Sequence, residues 1–102
     1  MASLESVAPV YRQEQEAYID AYAELVRPFG FVEAVYADHS DDLTIYTVYQ
    51  GDLDRIDDEL YDAYGTVIDL FPSVAVNFRL LDGTRVDDYT LPYSARLVFD
   101  RQ

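Results

Sequence analysis

The chain has 102 residues, a mass of 11.7 kDa, 50% hydrophobic residues and no cysteine. That is one domain, able to bury roughly 60–68% of the surface its unfolded form would expose, and without thiols it has no disulfide, cysteine nucleophile or thiolate metal site. Twenty acids stand against seven arginines and no lysine, a formal charge of −13, and a surface of that sign cannot drive counterion release from a phosphate backbone, so neither direct nucleic-acid binding nor binding to an anionic membrane is expected.

Met1 to Ser6 carries neither a basic stretch nor an apolar run, and nowhere does apolar sequence approach the roughly 18–20 residues of a membrane span. A cytoplasmic, single-domain protein over 1–102 is expected, with residues 1–8 frayed. The first helix is predicted over 9–28: Pro9 suits a first turn, and Tyr11, Glu14, Tyr18, Ala21, Tyr22 and Leu25 share one sector at 100° per residue. Arg27-Pro28-Phe29-Gly30 stops it, because the residue before proline resists helical geometry.

Phe31 to Ala37 and Leu43 to Tyr49 read as two strands of a hairpin, joined by the polar loop Asp38-His39-Ser40-Asp41-Asp42. Gln50-Gly51 breaks the second strand, and Asp52 is placed to cap a second helix. There Leu53, Ile56, Leu60, Ala63, Tyr64, Val67 and Phe71 hold one face for five turns, while Asp54, Asp58, Asp62 and Asp69 lie outside; Gly65 weakens the middle. Pro72 ends it.

Val74, Val76, Phe78 and Leu80 then alternate with Ala75, Asn77 and Arg79 as a third strand. The connection through a helix implies that the second and third strands are parallel. Asp82-Gly83 signals a turn after which Thr84 to Val86 could pair back briefly, and Ala95 to Phe99 is an edge strand or packed tail, since Pro92 argues against a central one. The predicted architecture is α+β: helix, strand, strand, helix, strand and a short C-terminal strand, with both helices on one face of a mixed sheet.

The charge is uneven. Residues 1–72 hold 16 acids and three arginines, whereas residues 73–102 hold four of each. Solubility in concentrated salt accounts for such a composition without any partner, as does a genome that spells its cations as arginine. An acidic binding face is the functional alternative.

Asp38, His39, Asp41 and Asp42 share the hairpin loop, and oxygen-rich loops are what hard cations require. No EF-hand spacing is present, and acidic turn residues are common for conformational reasons alone. His39 is the lone imidazole and so the natural general acid or base; its acidic neighbours are expected to raise its pKa. Neither Ser40 nor Ser73 lies in a Gly-x-Ser-x-Gly context, so nucleophilic catalysis has no support.

Ten tyrosines are unusual at this length. Tyr11, Tyr18, Tyr22 and Tyr64 are placed in the core, whereas Tyr46 and Tyr61 lie off the apolar faces. Because tyrosine joins large apolar area to a polar tip, Tyr46, Asp54, Asp58, Tyr61 and Asp62 form the candidate interaction surface. The Asp54/Asp58/Asp62 stripe repeats at about 6 Å, roughly the spacing of backbone phosphates, so a nucleic-acid mimic that blocks a basic groove is an alternative.

From Phe31 to Leu81 the chain resembles the minimal nucleotidyltransferase fold, the family that includes antitoxin-type enzymes. The resemblance rests on Ser40-Asp41-Asp42-Leu43-Thr44-Ile45, which stands where that family writes a serine followed by metal-binding aspartates at a strand start; Asp42 would match one metal carboxylate. The departures are specific. No Gly-Ser pair follows the first strand, Thr44 stands where a second aspartate is expected, and Asn77 where a further acid would complete the site. In-line nucleotidyl transfer needs carboxylates that hold two cations, so the resemblance implies a copy that has lost its chemistry.

The expected protein is therefore a non-catalytic acidic domain without a cofactor, acting on a protein partner or on a second copy of itself through a sheet edge or tyrosine-bearing face. Its enzymatic alternative is metal-dependent phosphoryl or nucleotidyl chemistry at Asp38, His39, Asp41 and Asp42.

Overall fold

A computed structural model describes residues 4–40, 42–85 and 91–101, with side chains described from Tyr11 onward. The element order is α1 (Leu4–Val26), β1 (Val32–Asp38), β2 (Leu43–Tyr49), α2 (Leu53–Leu70), β3 (Val76–Asp82) and β4 (Arg96–Asp100). This is the expected α+β arrangement. Among the described residues no helix is long and apolar enough to cross a membrane.

The sheet order is β3-β2-β1-β4. β1 and β2 pair antiparallel as the hairpin, β2 and β3 run parallel across the α2 connection, and β4 pairs antiparallel with β1 as the opposite edge. Pro92 falls before β4, so its missing donor costs the ladder nothing. Thr84 and Arg85 form a turn rather than a returning strand, and Val86 lies outside the described residues.

The first helix begins at Leu4, five residues ahead of the expected start at Pro9. Pro9 is thus the sixth residue of the helix and lacks the N–H that would reach back to the Glu5 carbonyl, so the turn ahead of it is held by fewer hydrogen bonds than the rest. The core-facing stripe is also rotated from the expected one: Gln15, Tyr18, Ile19, Tyr22 and Val26 are buried, while Tyr11 is 38% exposed at the rim. The Tyr11 hydroxyl still accepts a hydrogen bond from the Ala75 amide, at 3.3 Å. In α2 Asp52 is the N-cap, its carboxylate accepting from the Asp54 amide, and Gly51 makes the preceding turn at φ 112°.

Strand alternation assigns the two sheet faces. Val35, Ala37, Leu43, Ile45 and Thr47 are buried under the helices. There the Tyr22 hydroxyl and Thr47 Oγ1 share a 2.6 Å hydrogen bond, and Tyr64 stacks on Phe78 with ring centroids 3.9 Å apart. Ala34, Tyr36, Tyr46, Arg79 and Leu81 alternate to the other face, which no described helix covers.

Arg101 fastens the end of β4 to the end of α1. Its Nε donates to the Val32 carbonyl and its Nη2 to the Arg27 and Phe29 carbonyls, at 2.7–2.9 Å, while the guanidinium lies over the Phe99 ring at 5.2 Å. These carbonyls lie in the turn after α1 and at the start of β1, and one planar fork reaches all three at once.

Candidate functional site

The hairpin loop does not gather its polar residues around one point. The Asp38 carboxylate closes β1 and accepts from the Ser40 amide at 2.9 Å, the Ser40 hydroxyl at 3.0 Å and the Ser94 hydroxyl at 2.8 Å. Burial by itself would raise this carboxyl. Those three donors and the neighbouring His39 outweigh it and hold the group below the usual carboxylate range.

His39 turns the other way, onto α1. Its Nδ1 lies 3.2 Å from Gln15 Oε1 and its Nε2 3.4 Å from Glu16 Oε1, a carboxylate also held by Arg96 at 2.6 Å. The pKa of His39 is lowered rather than raised as the acidic loop suggests. Burial disfavours the charged ring, and the Arg12 and Arg96 guanidiniums oppose the pull of Glu16 and Asp38. The imidazole thus ties the loop to α1 and β4.

Asp42 is exposed and Asp41 lies outside the described residues. Among the described residues no three His, Asp or Glu side chains come together where they could hold a metal ion. The register of β2 on β3 does unite the positions that matter for the nucleotidyltransferase resemblance: Thr44 sits directly opposite Asn77 on the sheet face turned away from the helices. Asp42, two residues before Thr44, brings a carboxylate to that end of the sheet, while the paired strand positions themselves are an alcohol and an amide.

The tyrosine–acid surface divides into two. Tyr46 is paired with Tyr36 across β1 and β2 on the other sheet face, because alternation turns it away from Ile45 and the helices. Asp54, Asp58, Tyr61 and Asp62 remain together on the outer side of α2, where all four are exposed. From Asp52 to Asp69 the chain carries seven acids and one arginine. The Tyr61 ring is 58% exposed yet rests edge-on against Tyr64 at 5.8 Å, so a buried neighbour supports it. Among the described residues no ion pair engages Asp54, Asp58 or Asp62.

Sequence inspection missed two features: the Arg101 clamp and the convergence of Ser94 on Asp38, which joins residues 56 positions apart. Neither has a local signal, since both depend on where β4 pairs.

No protein-family model matches the chain, and no curated protein matches it. Among solved structures it is similar to a candidate nucleotidyltransferase of Sulfolobus solfataricus, at 19% identity and a TM-score of 0.45, over 89% of this chain and 87% of that one. At that level the likeness assigns no residue a role.

Proposed function

We propose that this domain is a non-catalytic protein-interaction module that presents the outer face of α2 to a basic partner. The observation that carries the proposal is the grouping of Asp54, Asp58 and Asp62, free of ion pairs among the described residues, around the supported and half-exposed ring of Tyr61. An aromatic anchor flanked by like charges suits a partner surface of arginine and lysine, where the acids steer encounter and the ring supplies buried area. The direct test compares wild type with D54N/D58N/D62N and with Y61A in pull-downs from the native lysate, read by mass spectrometry. Basic proteins retained by wild type and lost by both variants support the assignment; an unchanged set of partners refutes it. If the lost partners are nucleic-acid-binding enzymes, the acidic stripe acts as a mimic.

A second reading, a nucleotidyltransferase-like domain with an incomplete site, is favoured by the Thr44–Asn77 register beside Asp42. It predicts a weak residual response to Mg²⁺ or Mn²⁺ with ATP in calorimetry. Absence of heat in every combination removes it.

A further inference from the structure

Between the C-terminal end of α1 and the middle of α2 the surface opens into a groove of about 220 Å³, lined by Leu25, Phe29, Glu59, Asp62, Ala63 and Thr66. That is below the roughly 300–1,000 Å³ of sites that enclose a small molecule, and it suits one side chain. Ala63 is buried, and Leu25 and Phe29 are partly buried and packed on the core, so the apolar part of the lining is rigid. The Phe29 ring also stacks on Phe31 with centroids 5.3 Å apart, and its carbonyl accepts from Arg101 Nη2 at 2.8 Å.

The rest of the lining is acidic. Glu59 and Asp62 stand about one turn apart on α2, both exposed, and among the described residues neither enters an ion pair. The Thr66 hydroxyl donates to the Asp62 main-chain carbonyl at 2.9 Å, which leaves the Asp62 carboxylate free. No basic residue lines the groove. The arginines nearest in sequence are held elsewhere: Arg55 lies 3.8 Å from Asp52, and Arg27 lies 3.0 Å from Glu24 with its guanidinium over Phe99. Leu25 belongs to the last turn of α1, which carries no basic residue, so the negative end of the helix dipole adds to the field of the two carboxylates.

We propose that this groove seats an arginine side chain of a partner protein, with Glu59 and Asp62 accepting from the guanidinium and Leu25, Phe29 and Ala63 contacting the stem. The inference rests on the reading of α2 as the face that meets a basic partner, and it supplies that interface with an anchor, since Asp62 belongs to both. Two carboxylates a turn apart match a planar fork of five donors, and a guanidinium is more weakly hydrated than an ammonium, so it loses less on entering an apolar groove. The methylene stem gains from the leucine and phenylalanine walls, from which a hard metal ion would gain nothing. Arginine seated in a pocket between helices is also a common centre of binding energy in protein interfaces.

The test titrates the intact chain at low salt with N-acetyl-arginine methylamide, followed by amide chemical shifts. N-acetyl-lysine methylamide, the neutral isostere N-acetyl-citrulline methylamide and free arginine are run beside it. Saturable shifts centred on Leu25, Ala63 and Thr66 are expected, tightest for the blocked arginine and absent with the citrulline analogue. E59Q, at an exposed position where the fold is not at stake, should weaken binding about fivefold. D54N/D58N removes two charges outside the groove and should weaken it less. Failure to saturate, equal binding of the citrulline analogue, tighter binding of free arginine, or a D54N/D58N loss as large as that of E59Q each overturns the proposal. The two readings fail separately: absent saturation beside partners that D54N/D58N/D62N loses removes the groove, whereas saturable binding beside unchanged lysate partners removes the partner-facing surface.

Discussion

The buried tyrosines offer a sharp test of the core, because their hydroxyls have different surroundings. Tyr22 is fully buried and its hydroxyl meets Thr47 Oγ1 at 2.6 Å, whereas the hydroxyl of the equally buried Tyr18 has no hydrogen-bond partner among the described residues. Burial pushes both phenols above their ordinary pKa, so both are neutral throughout the physiological range. Tyr22→Phe deletes a bond worth about 1 kcal/mol net and leaves the Thr47 hydroxyl to find another partner, for a total loss of about 1–3 kcal/mol. In a domain of this size each kcal/mol lowers Tm by about 4–8 °C. Tyr18→Phe removes a hydroxyl that is desolvated for no return while keeping the ring against Phe71 and Phe78, so stability is expected to hold or to rise by about 1 kcal/mol. Thermal and urea unfolding followed by circular dichroism measures both, and combining Tyr22→Phe with Thr47→Val should cost less than the sum of the two single changes. A Tyr18→Phe loss equal to that of Tyr22→Phe would refute this account of the core.

Three further outcomes follow from local geometry. Gly65 lies mid-helix with open space where a Cβ would stand, so Gly65→Ala should stabilise by about 0.5–1 kcal/mol in urea titration; destabilisation would mean that something packs there. His39 has a folded pKa below its unfolded value, so its contribution to stability is present above pH ~6.5 and lost as pH falls through the folded value. The difference in urea midpoint between wild type and His39→Gln should therefore shrink or change sign on acidification from pH 7 to about pH 5, and a difference that does not vary with pH contradicts the assignment. Arg101→Lys should fail to restore what Arg101→Ala loses, about 1.5–3 kcal/mol by thermal unfolding, because an ammonium cannot reproduce the fork that reaches the Val32, Arg27 and Phe29 carbonyls.

Much of the fold was legible in the sequence because local and tertiary signals agree. The β2 limits match the alternation of Leu43 to Tyr49, and α2 follows its stripe from the Asp52 cap to Leu70. The α1 stripe was harder to place, since Tyr, Ala and Leu on neighbouring sectors make the apolar arc broad enough to rotate by one residue. The candidate surface divided for a different reason. Tyr46 and Tyr61 look equivalent as off-face tyrosines, yet a helix and a strand direct such residues to opposite sides of the layer. His39 was misjudged because charge neighbours are visible along a chain, whereas the burial that governs it comes from α1 and β4.

The place of β4 in the sheet has a consequence for synthesis. It pairs with β1 although the hairpin, α2 and β3 all precede it along the chain. A growing polypeptide can therefore assemble three strands and both helices while one side of β1 stays unzipped, a template for wrong partners until residues 96–100 leave the ribosome. Arg101 follows at once and bolts that strand to the backbone between the first helix and β1, so the sixth element closes against residues that adjoin the first.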